Sequence, residues 1–148
     1  VTKSILFVCT GNICRSPMGE YLFRHMAQNV QGNSKIVVAS AGVGALVGHG
    51  ADEKAVEVMA ENGIDITAHR ARQLNETLVK EHELILVMEH WQQKEIEQRY
   101  PFARGRVHLL GKWAEGEIAD PYKQPKANFV EAFNEINLAC QQWCEKIC

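Results

Sequence analysis

The chain has 148 residues, a formal net charge of −2, 46% hydrophobic residues and 23% charged residues. That is the usual size of one domain, here taken as 1–148, and it can bury a full core without disulfide or metal staples. The near-balanced charge gives no sign of a general nucleic-acid binder or of a protein that lies on membranes.

Residues 4–9, Ser-Ile-Leu-Phe-Val-Cys, form a short apolar run that predicts a buried strand. The run is too short for a membrane span or a secretory core and leads directly into turn residues, Thr10-Gly11-Asn12. The expectation is a cytoplasmic protein without direct membrane insertion. Ser16-Pro17 opens a helix, with proline in the first turn, where its missing N–H costs nothing. Met18, Leu22, Phe23 and Met26 recur at helical spacing to about Val30, and Gln31-Gly32-Asn33 stops the helix. Lys35 to Ala39 predicts a second strand. Residues 40–50 read as a glycine-rich loop. It lacks the Gly-x-Gly-x-x-Gly pattern, and no Walker Gly-Lys-Ser/Thr occurs anywhere, so the loop is assigned as a mobile pocket wall.

Asp52 is a candidate N-cap for a helix with Ala55, Val56 and Met59 on one face, ended by Gly63. A short helix is predicted over 75–80, a third strand from Leu84 to Met88, and a polar helix over about 90–99 ending before Pro101. Val107 to Leu110 predicts a fourth strand. Residues 112–125 are irregular and hold Asp120-Pro121-Tyr122. A last helix over about 127–146 turns Phe129, Phe133, Ile136, Cys140, Trp143 and Ile147 inward. Short apolar strands separated by helices predict an α/β fold of three layers, a parallel sheet with helices on both faces.

The five cysteines are Cys9, Cys14, Cys140, Cys144 and Cys148. No Cys-x-x-Cys pair or Cys/His quartet exists, so no zinc site and no other metal is expected. All five are expected as thiols, the last three as packing residues near a frayed helix end.

Ligands of α/β sheets bind beyond the carboxyl ends of strands, beside helix N-termini. Residues 9–16, Cys-Thr-Gly-Asn-Ile-Cys-Arg-Ser, occupy that place. Cys-x5-Arg alone is a weak signal, and a cysteine at a strand end is more often a small buried hydrophobe. Position sharpens it: such a loop can wrap an anion and aim successive N–H groups at it. The positive helix end stabilises a Cys9 thiolate, the nucleophilic form. Arg15 offers a planar fork matched to two phosphate oxygens. Ser16 either donates to the thiolate or caps the helix. Gly11 allows the tight turn, and Asn12 either holds the loop by side-chain hydrogen bonds or takes a left-handed conformation.

With these residues in place the chain resembles, over nearly its whole length, the low-molecular-weight protein tyrosine phosphatases. Ile5 to Pro17 is similar to their signature loop, Ser40-Ala41-Gly42 to the element after their second strand, and Gly63-Ile64, Ala68-His69 and Ala71-Arg72-Gln73 to the next marker. Asp120-Pro121-Tyr122 is similar to their general-acid loop. The resemblance implies a four-stranded parallel sheet, no metal and no cofactor. It implies Cys9 as nucleophile, Arg15 as phosphate clamp and Asp120 as general acid. Asn12, Ser16, Ser40 and His69 become a supporting network. Thr10, Gly11, Asn12, Ile13, Cys14 and Ser16 become the binding loop, with Leu46 and Tyr122 as apolar walls.

Two departures, Leu46 or Val47 in place of a wall tryptophan and a single Tyr122 followed by Lys123, resemble the bacterial subgroup of capsule and exopolysaccharide systems. That subgroup implies a phosphotyrosine protein as partner, the tyrosine-rich tail of a membrane-bound tyrosine kinase, and inorganic phosphate or similar oxyanions in the site, with no nucleic acid. Cys14 is either inert or a reversible disulfide partner for oxidised Cys9. Asp-Pro-Tyr is also ordinary turn chemistry, and Glu115 and Glu117 are the other loop acids. A thiol-dependent arsenate reductase would need redox cysteines after the third strand, and residues 89–106 hold none. A phosphate-binding module without turnover would be expected to lack Cys9 or Asp120.

Overall fold

The structure, a computed structural model, describes residues 4–30 and 35–148. The predicted helix stop at Gln31-Gly32-Asn33 lies outside the described residues. The elements run β1 Ser4–Cys9, α1 Arg15–Asn29, β2 Val37–Gly42, α2 Glu53–Glu61, α3 Glu76–Glu81, β3 Leu84–Val87, α4 His90–Arg99, β4 Val107–Leu109 and α5 Lys126–Ile147, with a short 3-10 turn, Pro101–Ala103, before β4.

The four strands pair in parallel in the order β2-β1-β3-β4. β1 is central, with Phe7 between Ser40 of β2 and Leu86 of β3. Its side chains alternate between two buried layers, which is why the run is apolar without a polar face. Ile5, Phe7 and Cys9 join the core under α1, α2 and α5, while Leu6 and Val8 join the core under α3 and α4. From β1 the chain crosses to β2 in one direction, and from β3 to β4 in the other. Right-handed crossovers of opposite direction put their helices on opposite faces. The strand order therefore reverses between β1 and β3, and a crevice opens at their carboxyl ends.

Both ends of β2 and the buried face of α2 differ from the sequence reading, while most other element ends shift by about a residue. β2 begins at Val37, two residues later than predicted, and runs on through Gly42, so Ser40, Ala41 and Gly42 are strand and not loop. The ladder with β1, which pairs Cys9 with Gly42, holds these small residues extended despite their weak strand preference. In α2 the buried positions are Ala55, Val58 and Met59, with Val56 only half-buried. The helix starts as expected, Asp52 accepting the Lys54 N–H at 2.9 Å. It ends before Gly63, whose φ of +78° only glycine adopts freely.

α5 buries Phe129, Phe133, Ile136, Cys140 and Trp143 and lies along α1. Trp143 Nε1 donates to the Leu110 carbonyl at 2.8 Å, pinning the helix to the end of β4. Cys140 is a packing residue as expected. Cys144 and Cys148, expected as thiols, are instead joined by a disulfide across the last turn. Their four-residue spacing places them on one helix face. Among the described residues no helix is long and apolar enough to cross a membrane.

Candidate active site

Beyond the end of β1 the chain turns sharply and enters α1. Five consecutive carbonyls of this loop are held from outside. Cys9 O accepts from Val43 N, Thr10 O from Gly44 N, Gly11 O from Leu46 N and Ile13 O from Asp52 N, all at 2.9–3.1 Å. Asn12 O takes the fifth bond, from His69 Nε2 at 2.7 Å. With the carbonyls turned outward the loop's N–H groups are left for its interior. Among the described residues no carbonyl accepts those of Gly11, Asn12, Ile13 or Cys14. That is an anion-binding nest at a helix N-terminus.

The turn itself falls on Asn12, with φ of 59°, and not on Gly11. A methyl group on Gly11 would meet Ile13 and Leu46 no closer than 3.7 Å. The glycine the loop requires is Gly42, where a Cβ would sit 2.4 Å from the Thr10 carbonyl oxygen. Asn12, fully buried, uses both ends of its amide. Nδ2 donates to Ser16 Oγ at 2.7 Å and Ser40 Oγ at 3.0 Å, and Oδ1 accepts the Arg72 N–H at 2.9 Å. Both alternatives for Asn12 are thus realised together.

Cys9 Sγ lies 2.9 Å from Ser16 Oγ. Arg15 is buried to 1% exposure and reaches under the loop. Its Nη1 donates to Glu89 Oε2 at 2.8 Å and to the Ile118 carbonyl at 2.7 Å. Its Nη2 is 3.5 Å from Asp120 Oδ2, and its buried Nε has no partner among the described residues. The Nη1 side of the guanidinium is therefore spent, and the parallel Nε–Nη2 edge remains for two oxygens of one oxyanion. Cys9, Thr10, Gly11, Ile13, Cys14, Arg15, Gly44, Leu46, Asp120 and Tyr122 line one cleft. Val47 is outside it and 67% exposed.

The Asp120 side chain is 41% exposed and its Oδ1 accepts the Tyr122 N–H at 3.1 Å. Glu115 and Glu117 do not line the cleft, and Glu117 Oε2 instead accepts the His90 N–H at 2.8 Å. Ser40 and His69 stand behind the loop. Ser40 Oγ donates to Glu20 Oε1 at 2.5 Å, and His69 is 6% exposed. Burial first, then the nearby Asp52 and Cys9, pushes the Cys14 thiol far above the ordinary cysteine value, so it stays protonated at neutral pH.

Sequence reasoning missed Glu89, Gln92 and Glu20. Glu89 follows β3, at the strand end where the crevice rule already pointed. Glu20 is a carboxylate on the buried face of α1, where a charged residue itself signals a partner.

The chain matches the family "Low molecular weight phosphotyrosine protein phosphatase" over residues 4–148. It is 48% identical over 145 residues to the probable low molecular weight protein-tyrosine-phosphatase EpsP of Ralstonia nicotianae, covering 98% of this chain and 96% of that one. The crystal structure of the tyrosine phosphatase Wzb from Escherichia coli K30 in complex with sulphate is 39% identical, with a TM-score of 0.93 and all of both chains covered. Vibrio vulnificus Wzb in complex with benzylphosphonate is 40% identical, with a TM-score of 0.92 over 99% of this chain and 100% of that one. The YwlE arginine phosphatase from Geobacillus stearothermophilus is also similar, at 33% identity and a TM-score of 0.87 over 98% of this chain and 92% of that one.

Proposed function

The chain belongs to the low molecular weight phosphotyrosine protein phosphatase family and is a protein-tyrosine phosphatase, and from that premise we propose which of its residues carry the reaction. The observation that carries the assignment is the convergence of Cys9, the free edge of Arg15 and Asp120 on one cleft.

The Cys9 thiolate attacks phosphorus in line, forming an S–P bond as the P–O bond to the tyrosine ring breaks. The Ser16 hydroxyl 2.9 Å away supplies a hydrogen bond to the sulfur. The loop N–H groups and the Nε–Nη2 edge of Arg15 hold the three equatorial oxygens, with no charge to rearrange as the bond order shifts. The Asp120 carboxyl gives its proton to the leaving phenolate. Its carboxylate then takes a proton from the water that breaks the S–P bond, releasing inorganic phosphate and the thiolate. Leu46, Ile13 and Tyr122 form apolar walls for the ring. Asn12, Ser40 and His69 fix the loop behind it.

The partner proposed is the tyrosine-rich tail of a membrane-bound bacterial tyrosine kinase of polysaccharide export, met in the cytoplasm. Support comes from the similarity to proteins named EpsP and Wzb.

Cys9→Ser tests the central assignment. A hydroxyl of much higher pKa cannot attack at neutral pH, so turnover of a phosphotyrosine peptide is expected to vanish while phosphate still binds. Activity within about tenfold of the parent would remove Cys9 from the role.

A further inference from the structure

Gln92 is fully buried in the first turn of α4, and its amide has three partners. Oε1 accepts the Met88 N–H at 2.9 Å and the Glu89 N–H at 3.0 Å. Nε2 donates to Thr10 Oγ1 at 3.2 Å. The first half of this arrangement is a helix capping box, which a glutamate fills as well as a glutamine. The bond to Thr10 is the one that uses the donor end of the amide. The same side chain thus ties the start of α4 to the residue directly after Cys9.

Both ends of that tie reach the phosphate site. Glu89, whose backbone Gln92 holds, is the carboxylate that engages Arg15 Nη1. Thr10 is a joint: its hydroxyl meets Gln92 while its carbonyl accepts from Gly44, in the segment that carries Leu46. β1 and β3 are neighbours only as far as Val8 and Val87. Past that point Gln92 continues the connection between them by side chain.

We infer that Gln92 is a positioning residue for oxyanion binding, setting Thr10 on one side and, through Glu89, the Arg15 edge on the other. It lines no part of the cleft and acts only through these residues. The inference rests on the reading of Arg15 as the clamp.

The test uses Gln92→Met, which removes all three bonds at similar volume, and Thr10→Val, which removes only the amide donation and leaves the cap intact. Inorganic phosphate affinity is measured by calorimetry, beside kcat and KM for an aryl phosphate and the melting temperature. Thr10→Val is expected to weaken phosphate binding about threefold or more, the worth of one buried hydrogen bond, and to lower the melting temperature modestly, because Gln92 Nε2 is left unpaired. Gln92→Met is expected to weaken it about tenfold or more, since Glu89 is also freed. The double variant is expected to bind no worse than Gln92→Met alone, because both substitutions break the same bond. Phosphate affinity within about twofold of the parent in a folded Gln92→Met overturns the inference, as does simple addition of the two effects. Should Gln92→Met fail to fold, Thr10→Val decides: unchanged phosphate affinity overturns it. A parent protein that binds no phosphate would instead defeat the Arg15 reading.

Discussion

A phenolate is a poor leaving group, its conjugate acid having a pKa near 10. The residue that protonates it therefore matters most when the leaving group is most basic. Asp120 faces the cleft with one carboxylate oxygen, while the other is held by the Tyr122 N–H. Asp120→Asn keeps that bond and removes the transferable proton. The rate with phosphotyrosine is expected to fall by about 10²–10⁴, and the loss to shrink across a series of aryl phosphates as the leaving group becomes more acidic. Burst-phase kinetics identify the step observed, because the role proposed for Asp120 extends to the later hydrolysis. Equal leaving-group slopes in both enzymes would refute the role. Cys9, Arg15 and Ser16 were legible in the sequence because a single turn carries them. Asp120 was legible only by resemblance, since nothing local distinguishes an acid facing a cleft from one that shapes a turn. Glu89 and Gln92 were hidden, because their partners, Arg15 and Thr10, lie 74 and 82 positions away in the chain.

Helices and central strands were legible in outline, because their apolar periods are strong and their caps ordinary. Asn75 accepts the Leu78 N–H at 2.8 Å, as the predicted short helix requires. The far end of β2 was not legible. Ser-Ala-Gly has no strand pattern, and only pairing with β1 keeps it extended. The Cys144–Cys148 pairing was likewise outside what spacing alone decides. Helix α5 also carries a local strain of charge. Burial, with Glu131 and Glu115 nearby, raises the Glu135 carboxyl above its ordinary value. A native carboxyl with a raised pKa binds more protons than its unfolded counterpart, so stability falls as pH rises through the interval between the two values. Glu135→Gln is expected to raise the melting temperature at pH 7. The gain should fade as pH drops below the ordinary glutamate value, where the carboxyl gains its proton in both the native and the unfolded chain. A gain of the same size at both pH values would show that charge is not its cause.

The whole molecule sets substrate shape. Cys9, 3% exposed, lies at the floor of a cleft walled by Ile13, Leu46 and Tyr122. On this account a phosphate on a flat ring is expected to reach that floor and a phosphoserine to fall short. The N–H groups of a phosphoguanidinium would meet apolar walls, with Asp120 the single carboxylate of the lining among the described residues. Matched peptides bearing phosphotyrosine, phosphoserine and phosphoarginine are expected to turn over in the order first far above the others. Comparable kcat/KM for any two would defeat this account of the walls. The same architecture places the first and last helices, α1 and α5, side by side. Arg15 sits at the start of α1 but takes one of its two Nη1 acceptors, the Ile118 carbonyl, from just before α5. During vectorial synthesis Cys9 and Arg15 emerge from the ribosome early, yet the Ile118 carbonyl that holds Arg15 and the Asp120 carboxylate beside it emerge more than a hundred residues later. On the proposed roles, a nascent chain displaying residues 4–110 lacks both, and phosphatase activity is expected only once the late segment folds back onto the early one.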